Sequence, residues 1–286
     1  MNVTRPLSLL ATCLVAVAGC AGSSAPPPAA PTEPAATTTT VPTPSVATAP
    51  TTPAGGDRPL SAAEIAALLE APDRSDDDRK LDEQRKAAAF LAYLGVGPGM
   101  HVAEVGSGSG YTSELLARAV GPTGTVYGQN TPEILAKFAE GPWSARLAKP
   151  ANKPIVRKDA PFDAPLPGVK GLDLVVNVLF YHDTVWLGVD RDKMNRAVFD
   201  ALRPGGAYVV VDHSAKPGDG LADVKTTHRI DQSVLEAEVE KAGFKLAGSA
   251  DFLRNPADTR DWNDSPTAAG PRRGTSDRFV LKFVKP

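Results

Sequence analysis

The chain has 286 residues, with 31 Lys and Arg against 33 Asp and Glu, for a formal net charge of −2. That balance excludes a global electrostatic footprint for nucleic acid. Cys13 and Cys20 are the only cysteines, and Cys13 falls in a leader-like segment, so neither an internal disulfide nor a cysteine-based metal site is expected.

Residues 1–20, MNVTRPLSLLATCLVAVAGC, combine Arg5, an apolar run from Leu7 to Ala18 and small residues before Cys20. This is the layout of a secretory signal, and the run is short for a bilayer span. Val17-Ala18-Gly19-Cys20 resembles the lipobox of bacterial lipoproteins. The resemblance implies a signal peptide over 1–19, cleavage before Cys20 and a lipid anchor on Cys20, so that the membrane is met through the anchor only. From Ala21 to Gly56 the chain is almost entirely Ala, Pro, Thr, Ser, Val and Gly, with Glu33 as its only charge. Such a segment has little apolar surface to offset the entropy of ordering and reads as a tether over 20–56. Residues 57–286 are long enough for one buried core.

Ser61-Ala-Ala-Glu64 fits a helix capping box, followed by the apolar stripe Ile65, Leu68 and Leu69. A second helix is expected from Ser75 to Leu94. Its charged half reads as a solvated face, with Asp82 and Arg85 the candidates for reaching a ligand site. After Gly95-Val-Gly-Pro-Gly99, short apolar runs recur at His101–Val105, Gly124–Gly128, Pro154–Arg157, Leu172–Leu179, Ala207–Val211, Phe244–Gly248 and Arg278–Val284. Helical stretches fall at Tyr111–Val120, Pro132–Phe138, Asp190–Leu202 and Asp231–Ala242. This alternation predicts an α/β fold, a doubly wound and mainly parallel seven-stranded sheet. The last two runs lack a helix between them and are expected to pair antiparallel at an edge.

His101-Val-Ala-Glu-Val-Gly-Ser-Gly-Ser-Gly-Tyr111 runs a strand into three alternating glycines and a helix. Bare backbone there lets a ligand approach closely, at the strand ends where doubly wound sheets bind. A dinucleotide fingerprint would need a third glycine at Ser113, which disfavours a dinucleotide-dependent oxidoreductase. Glu104 makes the pattern E-x-G-x-G-x-G, which resembles motif I of the class I S-adenosylmethionine-dependent methyltransferases. Leu202-Arg-Pro-Gly-Gly206 is similar to the turn before that family's fifth strand. The resemblance implies a Rossmann-like methyltransferase fold over about Gly97 to Pro286, with S-adenosylmethionine as cofactor. It also implies cofactor contacts from Glu104, Gly106, Ser107, Gly108, Gly110 and Tyr111, and from Asp159 toward the adenine. The family usually closes its second strand with an acidic residue that grips the ribose. Here Gln129 and Asn130 stand there, with amides that can still bind hydroxyls.

Methyl transfer needs alignment and, for a protonated acceptor, a base. His182 and then His213 are the candidate bases, with Asp183 as a third catalytic candidate, because they follow the fourth and fifth strands. Tyr181 and Asp212, at the same strand ends, are expected at the substrate. Arg254 and Trp262, with His228-Arg229, are expected to shape an acceptor pocket from the long polar segment 251–278. Two His and two Asp in adjacent loops suit a divalent ion chemically, but their spacing matches no metal motif, and no metal ligand is assigned. The reading is a methyltransferase with a small-molecule acceptor. An envelope-anchored binding protein that kept the fold and lost the reaction is the alternative.

Overall fold

The computed structural model describes residues 58–286; the expected signal peptide, Cys20 and the tether lie outside the described residues. Seven strands form one sheet in the order β3-β2-β1-β4-β5-β7-β6. They are β1 (His101–Val105), β2 (Thr125–Asn130), β3 (Ile155–Asp159), β4 (Leu172–Val178), β5 (Leu202–His213), β6 (Lys245–Ala250) and β7 (Arg278–Val284). The first five are parallel to one another, and β7 is antiparallel to both β5 and β6. The edge pair read from the sequence is therefore present.

The apolar strands are buried on both faces, as in parallel sheets covered by helices. Along β1, Val102 joins a core with α1 (Ala62–Leu69), α3 (Ala87–Leu94) and α4 (Tyr111–Val120). Ala103 and Val105 point the other way, toward α8 (Arg191–Ala201) and α9 (Gln232–Lys241). The period-two alternation of a strand thus puts Glu104 on the α4 face. Ser61 and Glu64 form the predicted capping box at α1.

Two expected helices take a different form. The stretch Ser75–Leu94 is two helices, α2 (Asp76–Gln84) and α3, because Lys86 sits in the left-handed region at φ 50. Nor is its charged half simply solvated: Asp78 is buried and binds Arg146 at 2.8 Å. The helix begun at α5 (Pro132–Ile134) continues past Phe138, through a π turn at Leu135–Ala139 into α6 (Glu140–Leu147). Pro142 falls in the first turn of α6, where a missing N–H costs little. After β4 the chain enters a short helix, α7 (Tyr181–Trp186), directly at the strand ends. Among the described residues no helix is long and apolar enough to cross a membrane.

Candidate functional site at the carboxyl ends of the central strands

The glycine turn leaves β1 beside β4, where the strand order reverses. Its backbone is held from β2. Gly106 N donates to the carbonyl and side-chain oxygens of Gln129, at 3.1 and 3.2 Å, and Ser107 N donates to the same carbonyl at 2.9 Å. Gly108 N donates to Asn130 Oδ1 at 2.8 Å, and Asn130 Nδ2 returns a bond to Gly108 O at 3.2 Å. Gln129 Nε2 also donates to Ala160 O, at 2.7 Å. Both amides are therefore buried and spent on tying the loop to the sheet, which corrects the expectation that they face ribose hydroxyls. The same bonds explain the absent acid. A carboxylate at position 129 could accept from Gly106 but would set a negative oxygen against the carbonyl of Ala160.

Gly106, at φ +75, lies under Phe180, whose ring would stand 2.4 Å from an added Cβ. Phe180 in turn leans on Phe162, with centroids 4.5 Å apart. An aromatic pair thus covers the first glycine. Gly110 is bare for another reason: a Cβ there would meet the buried Trp143 of α6 at 2.2 Å.

Glu104 is buried, and its carboxylate accepts from the Ser113 hydroxyl. Burial pushes its carboxyl up to about 7, against the opposing pull of Ser113, Thr112 and the Arg85 charge. Tyr111, expected at the cofactor, turns instead to α2: its hydroxyl donates to Asp82 at 2.7 Å and Arg85 lies 5.0 Å above its ring. Asp82 and Arg85 therefore do reach the glycine turn, through Tyr111. Asp159 ends β3 exposed, with both oxygens 2.9 Å from Arg157 Nε.

The ends of β4 and β5 gather three histidines. His182, in the first turn of α7, is fully buried, its Nδ1 2.5 Å from Asp212 Oδ1. Asp212 also accepts from the main-chain N–H groups of His182 and His213, each at 2.8 Å. With its oxygens taken and no exposure, Asp212 positions His182 and does not meet a substrate, contrary to the sequence expectation. Asp183 Oδ1 lies 3.3 Å from His182 Nε2, and 3.6 Å from Nε2 of His228, whose ring stands 4.2 Å from that of His182. Trp186 Nε1 donates to the same oxygen at 2.7 Å.

These neighbours divide the histidines by charge. Burial pulls His182 down, but Asp212 and Asp183 outweigh it and hold the imidazole up to about 10. Protonated at neutral pH, it is no general base, which corrects its place at the head of the candidates. Burial lowers His213, although Asp264 works against the shift. Burial, with the charge of His182, takes His228 down to about 4. His213 Nδ1 lies 2.6 Å from Asp264 and 2.9 Å from Ser276 Oγ. The hydrogen bond is the one to Ser276, and Asp264 stands at ion-pair distance without hydrogen-bond geometry. Ser276 thus holds the ring in place, with a carboxylate beside it to favour the charge that proton uptake would create.

The remaining expectations fare unequally. Tyr181 is a core residue: fully buried, it donates to Glu238 at 2.8 Å and accepts from Asn195 at 2.8 Å. Its position at the start of α7 turns it toward α8 and α9 and away from the histidines. Trp262 is held between Arg229 and Arg272, with its indole N–H on Asp258 at 2.8 Å. Arg254 binds Ser214 Oγ at 2.9 Å and borders a groove of about 500 Å³ that also involves Gln232, Arg260 and Asp277. The long segment does reach the histidines, but through Asp264 and Ser276. Nothing marks those two in the sequence beyond the segment's length, and Phe162 and Phe180 read as ordinary core residues.

Residues 67–144 match the family model of protein-L-isoaspartate(D-aspartate) O-methyltransferase, well under half of the chain. A protein-L-isoaspartate O-methyltransferase of Triticum aestivum is 28% identical over 160 residues, 53% of this chain and 64% of the relative. An arsenite methyltransferase of Halobacterium salinarum is 27% identical over 190 residues, 60% of this chain and 44% of the relative. The chain thus spans less than two-thirds of either relative. In structure, the chain is similar to a SAM dependent methyltransferase from Aquifex aeolicus. The TM-score is 0.51 at 15% identity, covering 79% of this chain and all of that one.

Proposed function

We propose that this chain, which has the fold of the class I S-adenosylmethionine-dependent methyltransferases, transfers a methyl group from S-adenosylmethionine to a small-molecule acceptor. The observation that carries the reading is the E-x-G-x-G-x-G turn standing at the reversal of strand order, with a buried carboxylate directly beneath bare backbone. The residues present fit the cofactor. Gly106 to Gly110, the end of β2 and Asp159 lie side by side at the carboxyl edge, Asn130 being in register with Asp159. Gly106, Ser107 and Gly108 would line the methionine end, with Glu104 behind them, and Asp159 would meet the adenine.

When bound, S-adenosylmethionine supplies a methyl group on a cationic sulfur that an acceptor atom displaces in line. The chain's own part is orientation and proton removal. His213, lowered by burial, held by Ser276 and standing beside the Asp264 charge, takes the acceptor's proton. The groove beside Arg254 is of a size usual for small ligands.

The second reading, a ligand-binding protein without catalysis, draws on Phe180 over Gly106 and on Gln129 in place of an acid. Calorimetric titration with S-adenosylmethionine, S-adenosylhomocysteine and NAD separates these readings from a dinucleotide enzyme. Binding of the first two is expected, and its absence up to millimolar concentration sinks the proposal. The lipobox-like ending at Cys20 supports an exported, envelope-anchored chain. Cys20→Ala is expected to move the protein out of the membrane fraction; unchanged partition would remove the anchor.

A further inference from the structure

We infer that His182, Asp183 and His228 form a binding site for a divalent transition-metal ion of the zinc class. His182 Nε2, the Asp183 carboxylate and a ring nitrogen of His228 lie within 4.8 Å of one another, a separation that a single ion can close. Two imidazoles and one carboxylate form a donor set suited to such an ion.

The second observation is independent of that clustering. His182 is wholly buried, yet its Nε2 has no hydrogen-bond partner. The 3.3 Å approach to Asp183 is an ion-pair distance without hydrogen-bond geometry. An unsatisfied buried nitrogen is costly and calls for a function. Its other nitrogen, meanwhile, is fixed at 2.5 Å on Asp212. A carboxylate behind one ring nitrogen, with the opposite nitrogen presented forward, is how proteins orient a metal-bound histidine. Asp212 is built for this alone, since its remaining acceptor capacity goes to the two main-chain N–H groups.

His228 completes the set from a different segment. It adopts φ 61, a left-handed conformation rare for a residue with a Cβ. The next residue, Arg229, is locked by a buried pair with Asp258 at 2.8 Å. The strained backbone is thereby held in place, with the His228 ring against Asp183. His213 stays outside the donor set, its Nδ1 hydrogen-bonded to Ser276 and 2.6 Å from Asp264, so a metal at this site and a base at His213 are compatible. Ion and proton compete for the same His182 nitrogen.

The test uses the full chain, stripped with chelator and titrated with Zn²⁺, and separately with Co²⁺, whose visible absorption reports its ligands. One equivalent per chain is expected by elemental analysis, with a cobalt spectrum of low coordination number and an upward shift in melting temperature. His228→Ala and Asp183→Asn should each weaken binding about a hundredfold or more, beyond the usual loss for an outer partner. Both side chains are partly exposed, so these variants are expected to fold, and circular dichroism confirms it. The site is refuted if the parent chain takes up no ion. It is equally refuted if both folded variants keep its affinity within threefold. S-adenosylmethionine titration of the metal-free chain is read separately, so failure of the metal site leaves the methyltransferase reading standing, and the reverse.

Discussion

Asp258→Ala is expected to cost about 3–5 kcal/mol of stability, the loss typical of breaking a buried ion pair from one side. Both side chains of the Arg229–Asp258 pair are fully shielded from solvent. The carboxylate also accepts from the main-chain N–H groups of Asp277 and Arg260, at 2.6 and 3.0 Å, and from Trp262. Its removal leaves a guanidinium without its ion-pair partner inside the fold, hydrogen-bonded to Ser214 O and Trp262 O and lying over the Trp262 ring, with the Asp264 charge farther off. Urea denaturation would read the change as a lower midpoint at an unaltered slope. The double replacement Arg229→Met with Asp258→Leu should recover only the part of the loss that comes from the unpaired charge, because the N–H groups of Asp277, Arg260 and Trp262 still lack their acceptor. A shift below about 1 kcal/mol in the single variant would show the pair to be solvated. His228, Asp264 and Ser276 all hang on this knot, so the variant should also disorganise the histidine cluster.

The second large effect depends on pH. Burial raises Glu104 from its ordinary 4.5 to about 7, so between those values the folded state keeps a proton that the unfolded state has released. Stability contributed by this group is complete below about pH 4.5 and is lost as pH rises through 7. The size is about 3 kcal/mol, from roughly two and a half pKa units. Glu104→Gln removes the titrating group while keeping a polar partner for Ser113. Relative to the parent, the variant should therefore gain about 3 kcal/mol between pH 4.5 and pH 8. Denaturation curves at those two pH values decide it; a constant difference between the proteins would mean that Glu104 ionises freely.

What the sequence disclosed follows the range of the interactions involved. The sheet was legible because strand alternation and the glycine breaks are local, and the antiparallel edge followed from a missing helix. The split at Lys86 was not, since a left-handed lysine carries no mark in the sequence as a glycine would. The same division holds at the site. Glu104 and its glycines stand in one short stretch. His182, His213 and His228 are spread over 47 positions by their numbering, and their order of basicity depends on which carboxylates fold against each. Gln129 and Asn130 were found at the right place but given the wrong partner, because a side-chain amide serves a backbone as readily as a ligand. Tyr181 shows the opposite limit, a polar residue at a strand end whose helix turns it into the core.

Phe180 fills the side of Gly106 toward which a Cβ would point. A ligand that needs that side of the glycine must wait for the ring to swing away, and its association is then gated and falls below the usual encounter rate. The measured dissociation constant is then the intrinsic one divided by the open fraction. A chain open about one part in a hundred would bind about a hundredfold more weakly than its contacts allow. For such a ligand, weak binding reports the position of the ring together with the quality of the fit.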